Sequence, residues 1–302
     1  MNWNNLLIRS LSGLIFLIIM LGMLSVGSIT FYLLISLIIV LSVIEYGRLV
    51  RYYNITIPTY YIVLIGLSLF TLSFLASLKV VSTIWFYLIL VPLLFFLFVG
   101  ELYRYHKKPM HNIAFSILAI VYIVIPLSLL NGLVFIERES LINNNFLDIN
   151  NYDSFISDTS IFIPDQTIIY SPLIIIGYLS IIWIYDTFAY LFGVSFGKHR
   201  LFERISPKKS WEGLIGGAVL TLALTFFYPK IFHILTWQNW FILALIVIFS
   251  STFGDLVESM FKRALSLKDS GNIMPGHGGM LDRFDSVFLS APIAYLYIQI
   301  IL

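Results

Sequence analysis

Between Leu11 and Ile44 the chain carries no charged side chain. As a single helix this run would be ~51 Å long at about 1.5 Å per residue, whereas the hydrocarbon core of a bilayer is only about 30 Å thick. The run therefore predicts two spans that turn near Val26-Gly27-Ser28. No water in the hydrocarbon region can satisfy a bare backbone, which leaves helices or a closed barrel. Barrel strands alternate between lipid and lumen, and these runs show no such alternation. Composition agrees, with 59% of the 302 residues hydrophobic and 11% charged, against roughly 25% charged in soluble domains. The fold class that follows is an all-α, polytopic integral membrane protein, and a water-soluble fold is excluded. Arg9 and the apolar stretch after it imitate a secretory signal, but no small-residue cleavage site closes the stretch and further spans follow, so it reads as a retained first helix. The lack of cysteine removes disulfides and thiolate chemistry.

Apolar runs bounded by charges, glycine and proline predict about nine transmembrane helices, near residues 11–26, 29–46, 60–77, 83–100, 113–136, 170–195, 213–228, 239–260 and 284–302. With nine spans, one side of the membrane receives Arg9, Arg48, Arg51, Arg104, Lys107, Lys108, Lys198, Arg200, Arg204, Lys208, Lys209, Lys262, Arg263, Lys268 and Arg283, and the other only Lys79, Arg138 and Lys230. An excess of lysine and arginine marks the cytoplasmic face, so the N-terminus and the loops near 196–212 and 261–283 are expected there, in a multi-pass protein of a bacterial-type inner membrane. Residues 137–169 differ in kind, being rich in asparagine and acidic groups, and read as a polar external loop. The expected organisation is one membrane domain: N-terminal helices over 1–136, the loop over 137–169, and a catalytic transmembrane region over 170–302.

The polar residues that remain fall into three clusters. In the first, Asp186 lies inside an apolar helix, where an ionisable group is costly enough to suggest function; a structural Asp bonded to a neighbouring helix is the plainer alternative. Lys198, Lys208 and Lys209 follow, and then Ser210 and Glu212 at the start of the next helix. Lysines and a hydroxyl before a helix N-terminus suit a phosphate, although basic loops also arise from topology alone. In the second cluster Asp255, Glu258, Ser259 and Lys262 recur at i, i+3, i+4 and i+7, one face of a helix, with Arg263 and, further on, Lys268 and Asp269. A solvated helix end explains Lys262 and Arg263 but not Asp255, two turns deeper.

The third cluster is the stretch Pro275-Gly276-His277-Gly278-Gly279-Met280-Leu281-Asp282-Arg283-Phe284-Asp285. If a helix starts near Leu281, Asp282 and Asp285 point the same way and can hold a hard cation. Mg²⁺ favours one or two carboxylates completed by water and phosphate oxygens. The glycines allow a tight turn and close approach to a phosphate. His277 could bond a phosphate or simply shape the turn, and Arg283 could bind phosphate or snorkel.

Ser259-x-x-Lys262-Arg263, Lys268-Asp269 and Pro275-Gly276-His277-Gly278-Gly279-x-x-Asp282-Arg283-x-Asp285 resemble the signature of the phosphatidate cytidylyltransferases, also called CDP-diacylglycerol synthases. The upstream run Asp186-Thr187-Phe188-Ala189-Tyr190, Phe196-Gly197-Lys198 and Ser206-Pro207-Lys208-Lys209-Ser210-x-Glu212-Gly213 is similar to the same family. The resemblance covers residues 183–290; Ser210 stands where threonine is common, and Ala264 where a charge is more usual. It implies transfer of CMP from CTP to phosphatidate, with Mg²⁺ and a second, monovalent cation such as K⁺. Asp255, Asp282 and Asp285 would hold the metal, and Lys262 and Arg263 would join them in catalysis. Asp186, Lys198, Lys208, Lys209, Ser210, Glu212, Ser259, Lys268, Asp269, His277, Gly278, Gly279 and Arg283 would bind substrate. The partners implied are CTP, phosphatidate and membrane lipids, with no nucleic acid and with room for a homodimer. A CTP-dependent polyprenol or lipid kinase needs the same nucleotide, metal and membrane acceptor but attacks a different phosphorus. An ion-coupled transporter would also carry intramembrane acids, yet internal repeats are absent and the ionisable residues crowd into the C-terminal half.

Overall fold

The computed structural model describes residues 3–82, 84–104, 107–139, 167–264, 267, 270–271 and 278–302. The helices are α1 (Trp3–Val26), α2 (Ser28–Arg51), α3 (Thr59–Ser77), α4 (Ile84–Tyr103), α5 (Pro109–Ala119), α6 (Ile125–Leu129), α7 (Leu173–Phe196), α8 (Trp211–Thr225), α9 (Tyr228–Phe232), α10 (Trp237–Ala264) and α11 (Leu281–Ile301). Two short antiparallel pairs join them, β1 (Phe135–Glu137) with β2 (Ile168–Tyr170) and β3 (Arg200–Phe202) with β4 (Ser206–Ser210). The fold is all-α and polytopic. Among the described residues seven helical spans are long and apolar enough to cross a membrane: Ser28–Arg51, Thr59–Ser77, Ile84–Tyr103, Pro109–Leu133, Leu173–Phe196, Trp237–Ala264 and Leu281–Ile301. The two others in the expected nine, Leu11–Val26 and Trp211–Thr225, are shorter apolar helices. The second of them rises only ~22 Å at about 1.5 Å per residue, less than the hydrocarbon thickness.

The predicted turn falls at Gly27, the single residue between α1 and α2. The span Pro109–Leu133 is continuous but irregular, because α5 passes through a π turn at Ile120–Val124 into α6. Pro126 explains this: it has no N–H to offer the preceding turn, and a wider turn just before it relieves the clash of its ring.

The chain divides into two compact units. One comprises Met1–Asn131 with Ala264–Phe284 and the other Gln166–Arg263 with Asp285–Leu302, while the strand Phe135–Glu137 belongs to the second. In the first unit the core is aliphatic and aromatic, with Phe31, Ile39, Ile62, Ile65, Phe70, Ile123, Val124 and Leu127 all fully buried. Tyr32 stacks on Phe70 at 5.4 Å and shares a 2.8 Å hydroxyl hydrogen bond with Thr71. A second polar tie joins Glu101 to Arg104 at 2.8 Å and to the side-chain amide of Asn112 at 2.5 Å, and the Asn112 carbonyl oxygen accepts the Thr56 N–H.

In the second unit the helices meet through small residues. Gly213 and Gly217 of α8 lie against the backbone of Ala189 and Gly193 of α7, and a Cβ at Gly217 would stand 2.8 Å from the Ala189 nitrogen. Small-residue faces of this kind let membrane helices approach closely where lipid supplies no hydrophobic drive. Gly254 of α10 does the same against α11, since a Cβ there would be 2.6 Å from the Asp285 carbonyl oxygen. Buried hydroxyls complete the contacts, Tyr178 to Ser290 at 2.5 Å and Tyr185 to Thr252 at 2.6 Å. Gly217→Leu is therefore expected to cost about 1–3 kcal/mol or more through overpacking against a backbone that cannot yield. Thermal unfolding in detergent measures it, and an unchanged midpoint would contradict this account of the α7–α8 contact.

Candidate active site

Three helices of the second unit each bring one acid to a common neighbourhood: Asp186 from α7, Asp255 from α10 and Asp285 from α11. Asp186 and Asp285 both lie within electrostatic reach of Asp255 and Lys209. Gly254, the residue before Asp255, packs against the backbone of Asp285. Lys209 forms an ion pair with Asp255 Oδ2, and Ser259, one turn on, donates its hydroxyl to Asp255 Oδ1 at 3.2 Å. The next turn carries a second pair, Lys262 with Glu258, whose side chains are 13% and 4% exposed. Arg263 Nε donates to the Ile205 carbonyl oxygen at 3.3 Å, tying the end of α10 to the turn between β3 and β4.

The β3–β4 hairpin explains how adjacent lysines part company. Successive side chains on a strand point to opposite faces, so Lys208 is exposed while Lys209 turns inward to Asp255. Ser210, which ends the strand as the N-cap of α8, departs from this alternation. It is 3% exposed and caps α8, its hydroxyl oxygen accepting the Gly213 N–H at 3.2 Å. The hydroxyl expected to greet a phosphate thus serves the helix N-terminus itself. Glu212 accepts the backbone N–H groups of Lys198 and His199 at 3.1 and 3.2 Å and meets His199 Nδ1 at 2.6 Å. That bond to His199, aided by the backbone donors, holds the Glu212 carboxyl down at about 2. Lys198, Arg200, Glu203 and Trp211 join this pair around an open groove of about 720 Å³.

The first unit holds a separate constellation. Asp282 Oδ2 accepts the Ser270 N–H and hydroxyl, each at 2.9 Å, and the Gly279 N–H at 2.8 Å. Gly278 has φ +80°, the left-handed region that favours glycine, and a Cβ there would also press on Asp282 Oδ2. The sequence pattern pairs Asp282 with Asp285 as metal ligands. In the structure α11 begins at Leu281, so Asp282 sits in the first turn and reaches back to the loop's unsatisfied donors, while Asp285 joins the other acids. Arg283, between them, is half-buried. Lys268, Asp269 and His277 lie outside the described residues.

Glu45 was not among the residues singled out from sequence, yet it accepts the Leu281 N–H at 2.8 Å from 236 positions away. An acid inside the apolar helix α2 was the available signal.

The acids of the second unit fit a divalent cation by their chemistry. Three hard-oxygen side chains, Asp186, Asp255 and Asp285, have the Lys209 ammonium as a common neighbour among the described residues. Among the described residues no three such groups stand as close as an all-protein cage requires, and Mg²⁺ does not need one, since it keeps waters and takes phosphate oxygens.

Apolar spans that bring acids and a lysine together among the described residues mark a multi-pass membrane protein with a charged site. The description of the cytidylyltransferase family matches residues 7–301. The chain belongs to that family and is a nucleotidyltransferase. The match also takes in the N-terminal helices, which had resembled the family only in being apolar. A phosphatidate cytidylyltransferase of Rickettsia typhi is 32% identical over 73% of this chain and 86% of its own length. Enzymes of the same name from Thermotoga maritima and Staphylococcus saprophyticus are 40% and 45% identical, over 39% and 40% of this chain. Those two matches span about half of the relatives' own length, 46% and 47%.

Lys209→Met should leave the three acids unbalanced and lower stability by about 1–3 kcal/mol, less than the roughly 3–5 of a fully buried broken pair, because the Lys209 and Asp255 side chains are 30% and 28% exposed. Adding Asp255→Asn should recover part of that loss. Additive losses in detergent unfolding would show that the two side chains are not coupled.

Proposed function

We propose that the protein transfers CMP from CTP to phosphatidate, giving CDP-diacylglycerol and pyrophosphate. The observation that carries this reading is the set of acids on α7, α10 and α11 beside Lys209, within a chain of the cytidylyltransferase family. A phosphate-monoester oxygen of phosphatidate attacks the α-phosphorus of CTP, the bond to the β-phosphate oxygen breaks, and pyrophosphate departs. The nucleophile is already an anion, so no side chain has to remove a proton from it. What remains for the protein is to offset negative charge and hold the reacting atoms in line.

Asp255 and Asp285, with Asp186 beside them, would hold Mg²⁺, which when bound supplies charge neutralisation at the triphosphate. Lys209 holds Asp255 in place and balances the acids. Lys208 and Lys198, exposed on the hairpin side, together with Lys262 and Arg263, are the cations proposed to meet phosphate oxygens, and Ser259 orients Asp255. Asp282 shapes the Gly278–Gly279 turn, and Lys268, Asp269, His277 and Arg283 complete the proposed substrate contacts. The monovalent cation, such as K⁺, and a homodimer belong to the same reading. The basic face lies toward the cytoplasm, where CTP is found, and a bacterial inner membrane is the proposed location; the lysine and arginine distribution supports both.

Purified protein in detergent, given labelled CTP, phosphatidate and Mg²⁺, is expected to release pyrophosphate and form CDP-diacylglycerol. Release of CDP with phosphorylation of a lipid alcohol would identify a kinase instead. Asp285→Asn should reduce kcat by at least about 10²-fold with normal membrane insertion, and wild-type turnover in that variant would exclude Asp285 from the site. EDTA should abolish turnover and added Mg²⁺ restore it; activity persisting under chelation would remove the metal from the scheme.

A further inference from the structure

Glu45 has no part in the reaction as described, yet its setting is built with care. It is 1% exposed in the middle of a protein-lined stretch of α2. Its Oε2 accepts the N–H of Leu281, the first residue of α11. The Ser270 hydroxyl and the Met280 N–H lie near the same carboxylate. Oε1 fills the space that a Cβ would need at both Gly271 and Gly279, and at Gly279 the Ser270 hydroxyl does so too. Asp282 works on the same segment from the other side, binding the N–H groups of Ser270 and Gly279. A buried carboxylate is a poor way to gain stability, since an apolar residue of similar volume serves as well or better. Its presence therefore calls for a different explanation.

We propose that Glu45 is a positioning residue for the transfer reaction: from a distant helix it supplies the N-terminal cap of α11 and fixes where that helix begins. This rests on the cytidylyltransferase reading. The first four N–H groups of a helix lack partners within it, and an acid there also suits the helix dipole. The carboxylate selects Leu281 as the starting residue. The start matters because side chains advance about 100° per residue around a helix, so a slip of one position would swing Asp282, Arg283 and Asp285 away from their present directions. Displacements of about 1 Å at reacting groups can cost on the order of 10²-fold in rate.

Glu45→Ala and Glu45→Leu in the full-length protein are expected to lower kcat per folded molecule by roughly 10- to 100-fold, while KM for CTP stays within about threefold. Amide exchange over residues 278–285, followed by mass spectrometry, should accelerate in both. Glu45→Gln keeps an oxygen that can accept the Leu281 N–H, and should restore protection and hold kcat within about threefold of wild type. Glu45→Asp, one methylene short, should not. Gly271→Ala should slow the wild type but add little to Glu45→Ala, because the Glu45 carboxyl atoms that its Cβ would meet are gone. The proposal is overturned by normal kcat in Glu45→Ala, by a Glu45→Gln variant as slow as Glu45→Ala, or by a Gly271→Ala penalty that is the same in both backgrounds. If Glu45→Ala does not fold, the contrast between Glu45→Gln and Glu45→Asp decides the matter. Exchange needs no turnover, so a wild type that protects residues 278–285 but transfers no CMP would count against the proposed reaction and not against the cap.

Discussion

A charge carried into a bilayer has to be answered by something other than water, and the polar architecture of this protein follows from that requirement. Four acids inside spans have a specific respondent: Lys209 for Asp255, Lys262 for Glu258, Arg104 and Asn112 for Glu101, and the start of α11 for Glu45. The answers differ in completeness. Glu101 is closed off by two side chains, one of them an arginine, and works as a structural tie. Among the described residues Asp186, Asp255 and Asp285 have Lys209 as a common neighbouring cation, and the proposed metal–phosphate substrate would add the charge that balances them.

That chemistry asks for charge and geometry more than for a reactive side chain. The helices are accordingly held by features that resist small movements. Glycine faces at Gly213, Gly217 and Gly254 bring backbones into contact, and buried hydroxyl pairs such as Tyr178 with Ser290 set the rotation of one helix against another. Interhelical hydrogen bonds in membranes average only about 0.6 kcal/mol, so their value here is in direction. The same logic gives the β3–β4 hairpin its place. A strand of five residues is enough to turn Lys208 outward and Lys209 inward, a separation that a helix or a loose loop would not enforce.

The membrane class and the approximate helices could be read from Leu11–Ile44 and its successors because hydrocarbon thickness and backbone satisfaction leave few alternatives. Asp186 and Asp255 were legible for a related reason, since acids in apolar helices are rare, and Asp285 through its spacing from Asp282 at the start of an apolar run. The division of labour between Asp282 and Asp285 was not. Spacing of i and i+3 places both on one face, but only the exact start of α11 determines that Asp282 reaches back to Ser270 and Gly279. Ser210 shows the same limit: a hydroxyl before a helix serves equally as a cap or as a ligand, and its capping role depends on where the strand gives way to the helix, which spacing does not reveal. Glu45 was missed because the contact that gives it meaning spans 236 residues, and no local pattern encodes a contact of that range.

The β1–β2 ladder carries a consequence for how this protein can be altered. Phe135 pairs with Tyr170 and Glu137 with Ile168, and the Arg138 N–H extends the ladder to the Thr167 carbonyl at 2.8 Å. The ladder thus fixes the two ends, near 139 and 167, of the segment that joins them. Once these two ends are fixed, the entropy of closing the segment between them grows only as the logarithm of its length. Evolution, or an engineer inserting an affinity handle, can lengthen or shorten the stretch between 139 and 166 without asking α6 or α7 to move.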